Sequence, residues 1–362
     1  MEKVKLGDVA IEKRETWTGS TQGVPIVGLE HLVPGEVTLS SWDSDTDNTF
    51  SKMFRKGQVL LGRRRVYLKK AVIAPFDGIC SGDITIIEAI PGKISSRLLP
   101  FVIQNERFFD YAMQGSAGSL SPRVKWEHLK DYEFNLPNYE EQDCLADKLW
   151  SALTLRESYQ TLLQATDEMV KSRFIEEFYG KGHPCYKLRE IARVVTGSTP
   201  ARSVADYWTD GTHPWVSAQD MGNKYVDRTV ESITDSGLAT CKLIPAGSVL
   251  YVCRGSIGVM SINRIDCATN QSICSAICNE RRCKSEYLFY WLLYHEDEIA
   301  SLGEGTSFKS LSQKTFANLE IQLPHIEDQE SFITIAQQAD KSKFELKQAI
   351  EKIDKVMRAL MQ

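Results

Sequence analysis

The sequence predicts an α+β protein: two similar globular domains separated by an antiparallel pair of long coiled-coil helices, with a pseudo-two-fold internal repeat. Three observations predict it. One is a helical stretch from Tyr139 to Phe178 with a continuous apolar stripe. The second is the return of that pattern from Ile326 to Met361. The third is that the chain matches itself at an offset of about 187 residues, and self-similarity of this kind marks a repeated architecture.

The first long helix begins after Leu136-Pro137 and is stopped by Gly180-Lys181-Gly182-His183-Pro184, since Gly and Pro end helices. Glu140, Glu141 and Asp143 sit in its first turn, where acidic side chains meet the positive end of the helix dipole. Leu145, Leu149, Ala152, Tyr159, Leu162, Thr166, Met169 and Phe174 recur at spacings near three and four, the signature of an apolar stripe. About 40 residues rising ~1.5 Å each give a rod of ~60 Å, which cannot bury its stripe against itself. The second helix follows Leu323-Pro324 and supplies the partner: Phe332, Ala336, Ala339, Leu346, Ile350, Ile353, Met357 and Leu360 have the heptad-like spacing of a coiled-coil seam. The domains therefore read as residues 1–138, a helix over 139–180, residues 181–324, and a helix over 325–362.

The repeat is carried by framework residues. Leu6-Gly7-Asp8-Val9-Ala10 matches Leu188-Arg189-Glu190-Ile191-Ala192, and Lys56-Gly57-Gln58-Val59-Leu60 matches Ala246-Gly247-Ser248-Val249-Leu250. Cys80 to Ile86 matches Cys267 to Ile273, and Gly115 to Ser119 matches Gly303 to Thr306. Asn135-Leu136-Pro137 with Glu141-Gln142 matches Gln322-Leu323-Pro324 with Asp328-Gln329. The residues between these landmarks differ, as two copies of one scaffold with two different surfaces would. Within each half, Gly57–Gly62, Ala71–Ala74, Asp83–Glu88, Gly247–Val252 and Ser272–Ile277 read as strands. Arg97–Ala112 and Lys284–Leu302 have helical spacing, so each half is a largely antiparallel sheet with helices.

Charge is distributed unevenly. The net charge is −5. The first long helix, residues 139–180, carries 4 basic and 9 acidic side chains, whereas residues 1–138 carry 18 and 17 and residues 181–324 carry 15 and 15. The globular halves are close to neutral, so any face for a polyanion is a local patch. No apolar run approaches the ~18 residues of a membrane helix. The N-terminus lacks a signal-peptide core, and nine cysteines, an odd number, point to free thiols in a reducing cytoplasm.

Read in order, the motifs resemble a known family. Thr196-Gly197-Ser198-Thr199-Pro200-Ala201-Arg202, Tyr207-Trp208, Pro214-Trp215-Val216 and Asp220-Met221 look like the opening of a target-recognition domain of type I restriction-modification specificity (S) subunits. Lys56 to Lys70, Phe76 to Asp83, and Leu120 to Trp126 running into Leu136-Pro137 resemble the same family in the first half. The resemblance covers essentially the whole chain. Half one has Trp17-Thr18-Gly19-Ser20-Thr21 in place of the Gly-Ser-Thr-Pro form, and half two keeps only Arg254 of the arginine-rich run. The resemblance implies a subunit that chooses the DNA sequence and catalyses nothing itself. It implies partners: double-stranded DNA, two adenine-methylating modification subunits that use S-adenosylmethionine, and ATP- and Mg-dependent restriction subunits. The modification subunits would dock on the long helices, and no cofactor would be bound by this chain. Each domain would read one half-site. Because the halves differ, the target would be asymmetric.

The candidate DNA-binding residues follow from side-chain chemistry. Arg63, Arg64, Arg65, Lys69 and Lys70, with Tyr67 among them, form the densest basic cluster. Arginine reads guanine through its fork, and arginine or lysine grips phosphate; a solvated strand edge has the same composition. Ser121, Arg123 and Lys125 form a second loop beside Trp126. In half two, Ser307, Lys309, Ser312 and Gln313 occupy the corresponding stretch. Arg202, Arg254, Gln219, Asn270 and Gln271 are candidates for base edges, amides pairing with adenine; turn-capping amides would look the same.

Other chemistries find little in the sequence. Cys267, Cys274, Cys278 and Cys283 lack a paired C-x-x-C and read as small apolar fillers rather than zinc ligands. Asn135-Leu136-Pro137-Asn138-Tyr139 lacks the proline pair of an adenine methyltransferase motif. No nucleotide-binding glycine loop or nucleophile triad is present. Two other classes remain: a coiled-coil scaffold binding only proteins, and a stand-alone DNA methyltransferase or nuclease with fused recognition domains.

Overall fold

The computed structural model describes residues 2–45, 47–116, 122–303 and 310–361. The chain divides into two compact units, one comprising Met1–Thr161 with Leu346–Gln362 and the other Leu162–Glu345.

In the first unit, β1 (Glu2–Lys5) pairs antiparallel with β9 (Glu133–Leu136), Glu2 opposite Leu136. A four-stranded sheet has the order β2 (Ala10–Lys13), β8 (Ile84–Ala89), β5 (Val59–Gly62), β6 (Ala71–Ile73). A three-stranded sheet has the order β3 (Ile26–Val27), β7 (Gly78–Cys80), β4 (Lys52–Phe54), with β3 and β7 parallel. Strand β5 is central and wholly buried, which is why it reads Val-Leu-Leu-Gly without alternation. It is entered through Gly57, whose φ of +87° is a conformation that glycine adopts at little cost. Helices Leu99–Gln104 and Glu106–Gln114 close the core with Phe101, Phe108 and Phe109.

The second unit lays down its strands in the same manner. Strand β10 (Cys185–Lys187) pairs antiparallel with β19 (Glu320–Gln322). The larger sheet has the order β11 (Ala192–Thr196), β18 (Ile273–Cys278), β15 (Val249–Val252), β16 (Met260–Asn263), β13 (Tyr225–Val226). The smaller has the order β14 (Glu231–Ile233), β12 (His213–Val216), β17 (Ala268–Thr269), with β12 and β17 parallel. Gly247, at φ +85°, precedes β15. The Leu-x-Asp/Glu-x-Ala framework now has a physical reason. Asp8 accepts from the Lys5 amide and Glu190 from the Lys187 amide, at 3.1 and 2.8 Å. Each acid thus closes the first turn of a four-residue helix between two strands.

One sequence match moves in the structure. Val27 pairs with Cys80 as Val216 pairs with Thr269. Thr269, not Cys267, therefore stands where Cys80 stands, and the offset there is two residues larger than the Cys-to-Cys alignment gives. Small buried residues are interchangeable in sequence; strand register is not.

The long helices span Tyr139–Phe178 and Ile326–Leu360. Gln142 is buried at the start of one. Its Oε1 accepts from the Ser95 amide at 2.7 Å, and its Nε2 donates to the carbonyls of Pro137 and Lys93. Gln329 does the same in the second unit, accepting from the Lys284 amide at 2.9 Å and donating to the carbonyls of Pro324 and Arg282. In the first unit Ala146, Leu149 and Leu153 are buried, Met357 and Leu360 pack on the same core, and Arg156 reaches Asp354 at 3.5 Å. In the second, Val170, Phe174 and Phe178 are buried with Phe332, Ala336 and Ala339. There Lys343 donates to Asp167 at 2.8 Å and Phe174 meets Phe332, so the two helix segments of this unit run in opposite directions. Leu162 and Met169, expected on the buried stripe, are 49% and 46% exposed. Burial is confined to the turns that pass a domain core. Among the described residues no helix is long and apolar enough to cross a membrane.

Candidate nucleic-acid interface

Three segments of the first unit meet at the end of β5: the turn from Arg63 to Lys70, the β7–β8 turn at Ser81–Asp83, and Pro122–Lys125. Backbone bonds join them. Arg63 N donates to Asp83 O at 2.9 Å, Arg65 N to Pro122 O at 2.8 Å, and Val124 N to Arg63 O at 3.0 Å. Arg65 and Lys69 both lie in the left-handed region, at φ +54° and +52°, uncommon for residues other than glycine and found where surroundings over-determine the backbone. Buried Val66 anchors the turn between them, leaving Tyr67 and Leu68 exposed.

The organising group is Asp83. Arg123 Nε and Nη2 donate to its two oxygens at 2.8 and 3.3 Å, and Arg64 Nη1 approaches Oδ2 at 3.6 Å. The Arg123 hydrogen bond, outweighing partial burial, holds the Asp83 carboxyl below the ordinary aspartate range, because it stabilises the charged form. Arg63 is half-buried, and its Nε has no hydrogen-bond partner among the described residues. Lys125 is exposed just before the short helix Trp126–Leu129. Lys70 turns inward, donating to Leu29 O at 2.7 Å, and Lys69 approaches Glu106 at 3.9 Å. Ser121 lies outside the described residues. The structure thus gathers Arg63, Arg64 and Arg123 around one carboxylate, sets Arg65 in a hollow shared with Glu30, and gives Lys70 a backbone partner.

The second unit repeats the backbone meeting with other side chains. Cys253 N donates to Ser272 O at 2.7 Å and Leu311 N to Cys253 O at 2.8 Å, and Arg254 bridges Ser310 as Arg64 bridges Arg123. Arg254, Gln271 and Ser312 are exposed here. Asn270 Oδ1 accepts from the Ser272 amide and hydroxyl at 3.0 and 2.6 Å, so that oxygen closes its own turn. Gln271 accepts from the Thr199 hydroxyl. Ser312 caps the helix Gln313–Ala317, and Gln313 Nε2 donates to Val194 O at 3.0 Å. Gln219 is exposed on the short turn Ala218–Asp220. Ser307 and Lys309 lie outside the described residues.

Arg202 belongs to a separate cluster. Its guanidinium stacks on Trp208 and is held by both oxygens of Glu231. Trp208 stands edge-on to Trp215 at 5.1 Å. Asp83, Glu231 and Trp215, which organise these groups, are neither cations nor amides, so a reading of basic and amide side chains does not reach them. The signal available for Asp83 was its place in Ser81-Gly82-Asp83, where an aspartate also reads as a turn residue.

Burial pushes the Cys267 thiol up to about 12, and among the described residues no group of three or more His, Cys, Asp or Glu is placed to hold an ion.

Comparison with known proteins fits this arrangement. Residues 184–355 match the type I restriction modification DNA specificity domain. The chain is 29% identical over 202 residues to the type I restriction enzyme MjaIX specificity subunit of Methanocaldococcus jannaschii, covering 51% of this chain and 46% of that protein. It is 29% identical over 161 residues to the EcoR124I/EcoR124II specificity subunit of Escherichia coli, covering 42% of this chain and 40% of that one. The matched stretches thus span about half the length of these curated relatives or less. In fold, the chain superposes on the type I restriction-modification S subunit from M. genitalium with a TM-score of 0.63 at 13% identity, over 100% of this chain and 96% of that one. Residues 184–355 thus carry the match to a type I restriction modification DNA specificity domain, and the curated proteins that the chain resembles are specificity subunits of type I restriction enzymes.

Proposed function

We propose that this chain is the DNA sequence-recognition subunit of a type I restriction-modification complex, without catalysis of its own. It reads a bipartite target, one half-site per unit. The observation that carries this reading is the pair of corresponding loop meetings, one built around Arg64 and Arg123, the other around Arg254 and Ser310. The same backbone arrangement offers different side chains, so the half-sites differ and the target is asymmetric. The two units form a pseudo-two-fold repeat, and the long helices pair as an antiparallel coiled coil that sets the gap.

The helices also offer a docking surface. Within the second unit, Leu162 and Met169 stand seven residues apart and are 49% and 46% exposed, an apolar line suited to a partner helix. Modification subunits that use S-adenosylmethionine dock there, and ATP- and Mg-dependent restriction subunits join the assembly.

The test is a map of adenine methylation in cells carrying this gene and its neighbours, against cells lacking this gene alone. Loss of methylation at one gapped, asymmetric motif is expected. Loss at an ungapped motif, or no loss where the partner methyltransferase is active, would overturn the reading.

A further inference from the structure

We propose that Asp83 is a positioning residue that aims Arg123 and Arg64 and sets how strongly the first unit rejects non-target DNA. This rests on the recognition function above and names what regulates that site.

Asp83 is itself fixed before it holds anything. Its carbonyl accepts from Arg63 N, and its own amide donates to Ser81 Oγ at 3.2 Å. Its side chain is only 17% exposed, whereas those of Arg123 and Arg64 are 49% and 41% exposed. A rigid, half-sunk carboxylate thus fans two arginines toward solvent. Arg63 and Arg64 face the same carboxylate as Arg123, while Arg65 lines an adjoining hollow with Glu30. The fork of Arg123, however, is already filled.

A carboxylate presents two oxygens to a guanidinium much as a phosphate does, and both make two-pronged bonds. Asp83 therefore occupies the place that a backbone phosphate would take on Arg123. A non-target duplex, whose base edges do not match, is held through its phosphates. To engage Arg123 it must displace Asp83 and bring its own charge close to that of Asp83. A target duplex is held by base-edge contacts with the Asp83–Arg123 pair intact, so only the phosphate-bound mode bears this repulsion. Discrimination gained by penalising the wrong partner is a general route to specificity. The second unit has Ser272 and Ser310 at the places of Asp83 and Arg123, so the device belongs to one half-site only.

The experiment uses the full chain with its methylating partner. Duplexes carrying the mapped target or a shuffled sequence are titrated across a salt series, for wild type, Asp83→Asn and Asp83→Glu. Removing one repelling charge is expected to tighten binding of the shuffled duplex about tenfold in Asp83→Asn. Its log-log salt slope should steepen by about one. In cells, the methylation motif should lose definition in a single half-site. Asp83→Glu keeps the charge and should stay within about threefold of wild type on the shuffled duplex. The proposal is overturned if Asp83→Asn keeps the wild-type ratio and slope. It is also overturned if target and shuffled duplexes weaken equally alongside a lower urea midpoint, which would mark a purely structural role. Wild-type complex that binds both duplexes alike would instead sink the recognition reading itself, before any variant is made.

Discussion

The guanidinium carbon of Arg202 lies 3.6 Å from the ring centroid of Trp208, a stacking contact made while Glu231 fills the arginine's fork. A half-exposed cation over this partly buried indole contributes about 0.5–1 kcal/mol, and the edge-on Trp208–Trp215 pair adds about 0.5–1.5 kcal/mol. The exposed ion pair with Glu231 contributes at most about 1 kcal/mol. Trp208→Ala should lower unfolding stability in urea by about 1–2.5 kcal/mol, and Glu231→Gln by less than about 1. Reversal of that ranking would show that the ion pair, not the stack, holds Arg202.

Gln142 and Gln329 each satisfy one amide, buried at Ser95 and partly buried at Lys284, and two carbonyls at the root of a long helix. Truncation strands those groups, and a buried unpaired polar group costs about 1–3 kcal/mol. Gln329→Ala should therefore destabilise by about 2–4 kcal/mol, while the exposed Gln348→Ala should stay within about 0.5 kcal/mol of wild type. Equal urea midpoints for the two variants would contradict the assignment.

Thiol reactivity separates buried from exposed cysteines. Cys144 and Cys185 are exposed. Burial pushes Cys80 and Cys267 up to about 12, and at pH 8 only about one in 10⁴ of such thiols is the reactive thiolate. Iodoacetamide at that pH should label Cys144 and Cys185 in the folded protein and reach Cys80 and Cys267 only in urea, as read by peptide mass spectrometry. Labelling of Cys267 without denaturant would count against the packing of its bridge to Ile244, just before β17.

The Asp83–Arg123 pair gives an acid-side dependence of known sign. Asp83 titrates below its ordinary value of 3.8 in the folded chain. Its contribution to stability is therefore complete above that value and is lost as pH falls through the folded one. Between pH 5 and pH 3, the urea midpoint of Asp83→Asn should fall less than that of wild type. A steeper fall would reverse the sign and rule out the pair as a stabilising contact.

The exposed apolar line on the first long helix can be broken without touching a core. Leu162→Glu should leave the urea midpoint within about 0.5 kcal/mol of wild type. It should reduce co-purification of the modification subunit at least tenfold, about the effect of losing 1.4 kcal/mol of binding. Undiminished co-purification would place the docking surface elsewhere.

How much of this was legible in the sequence depends on the kind of signal. Leu-Pro pairs and the Gly180–Pro184 run mark helix ends because Pro and Gly act locally. The central strands were legible as unbroken apolar runs. Which apolar positions of a long helix face a neighbour was not, because periodicity records a stripe but not where its neighbour stops; Leu162 and Met169 lie where none covers them. The arginine cluster was visible as a run of like charges. Asp83, twenty residues beyond Arg63, was not, since an ion pair between distant turns leaves no mark on either. Asn270 shows the converse difficulty: base reading and turn closing need the same amide, and only the turn's geometry separates them.

Strands β1 and β9 bring Glu2 beside Leu136, and β10 and β19 bring Cys185 beside Gln322. Each globular part is thus entered and left at one doorstep. A stretch of gene spanning from one doorstep strand to its mate can be replaced by a foreign stretch of different length, because both ends of the insert return to the same two neighbouring strands. Either globular part can therefore change in length or content without moving the two strands that border it.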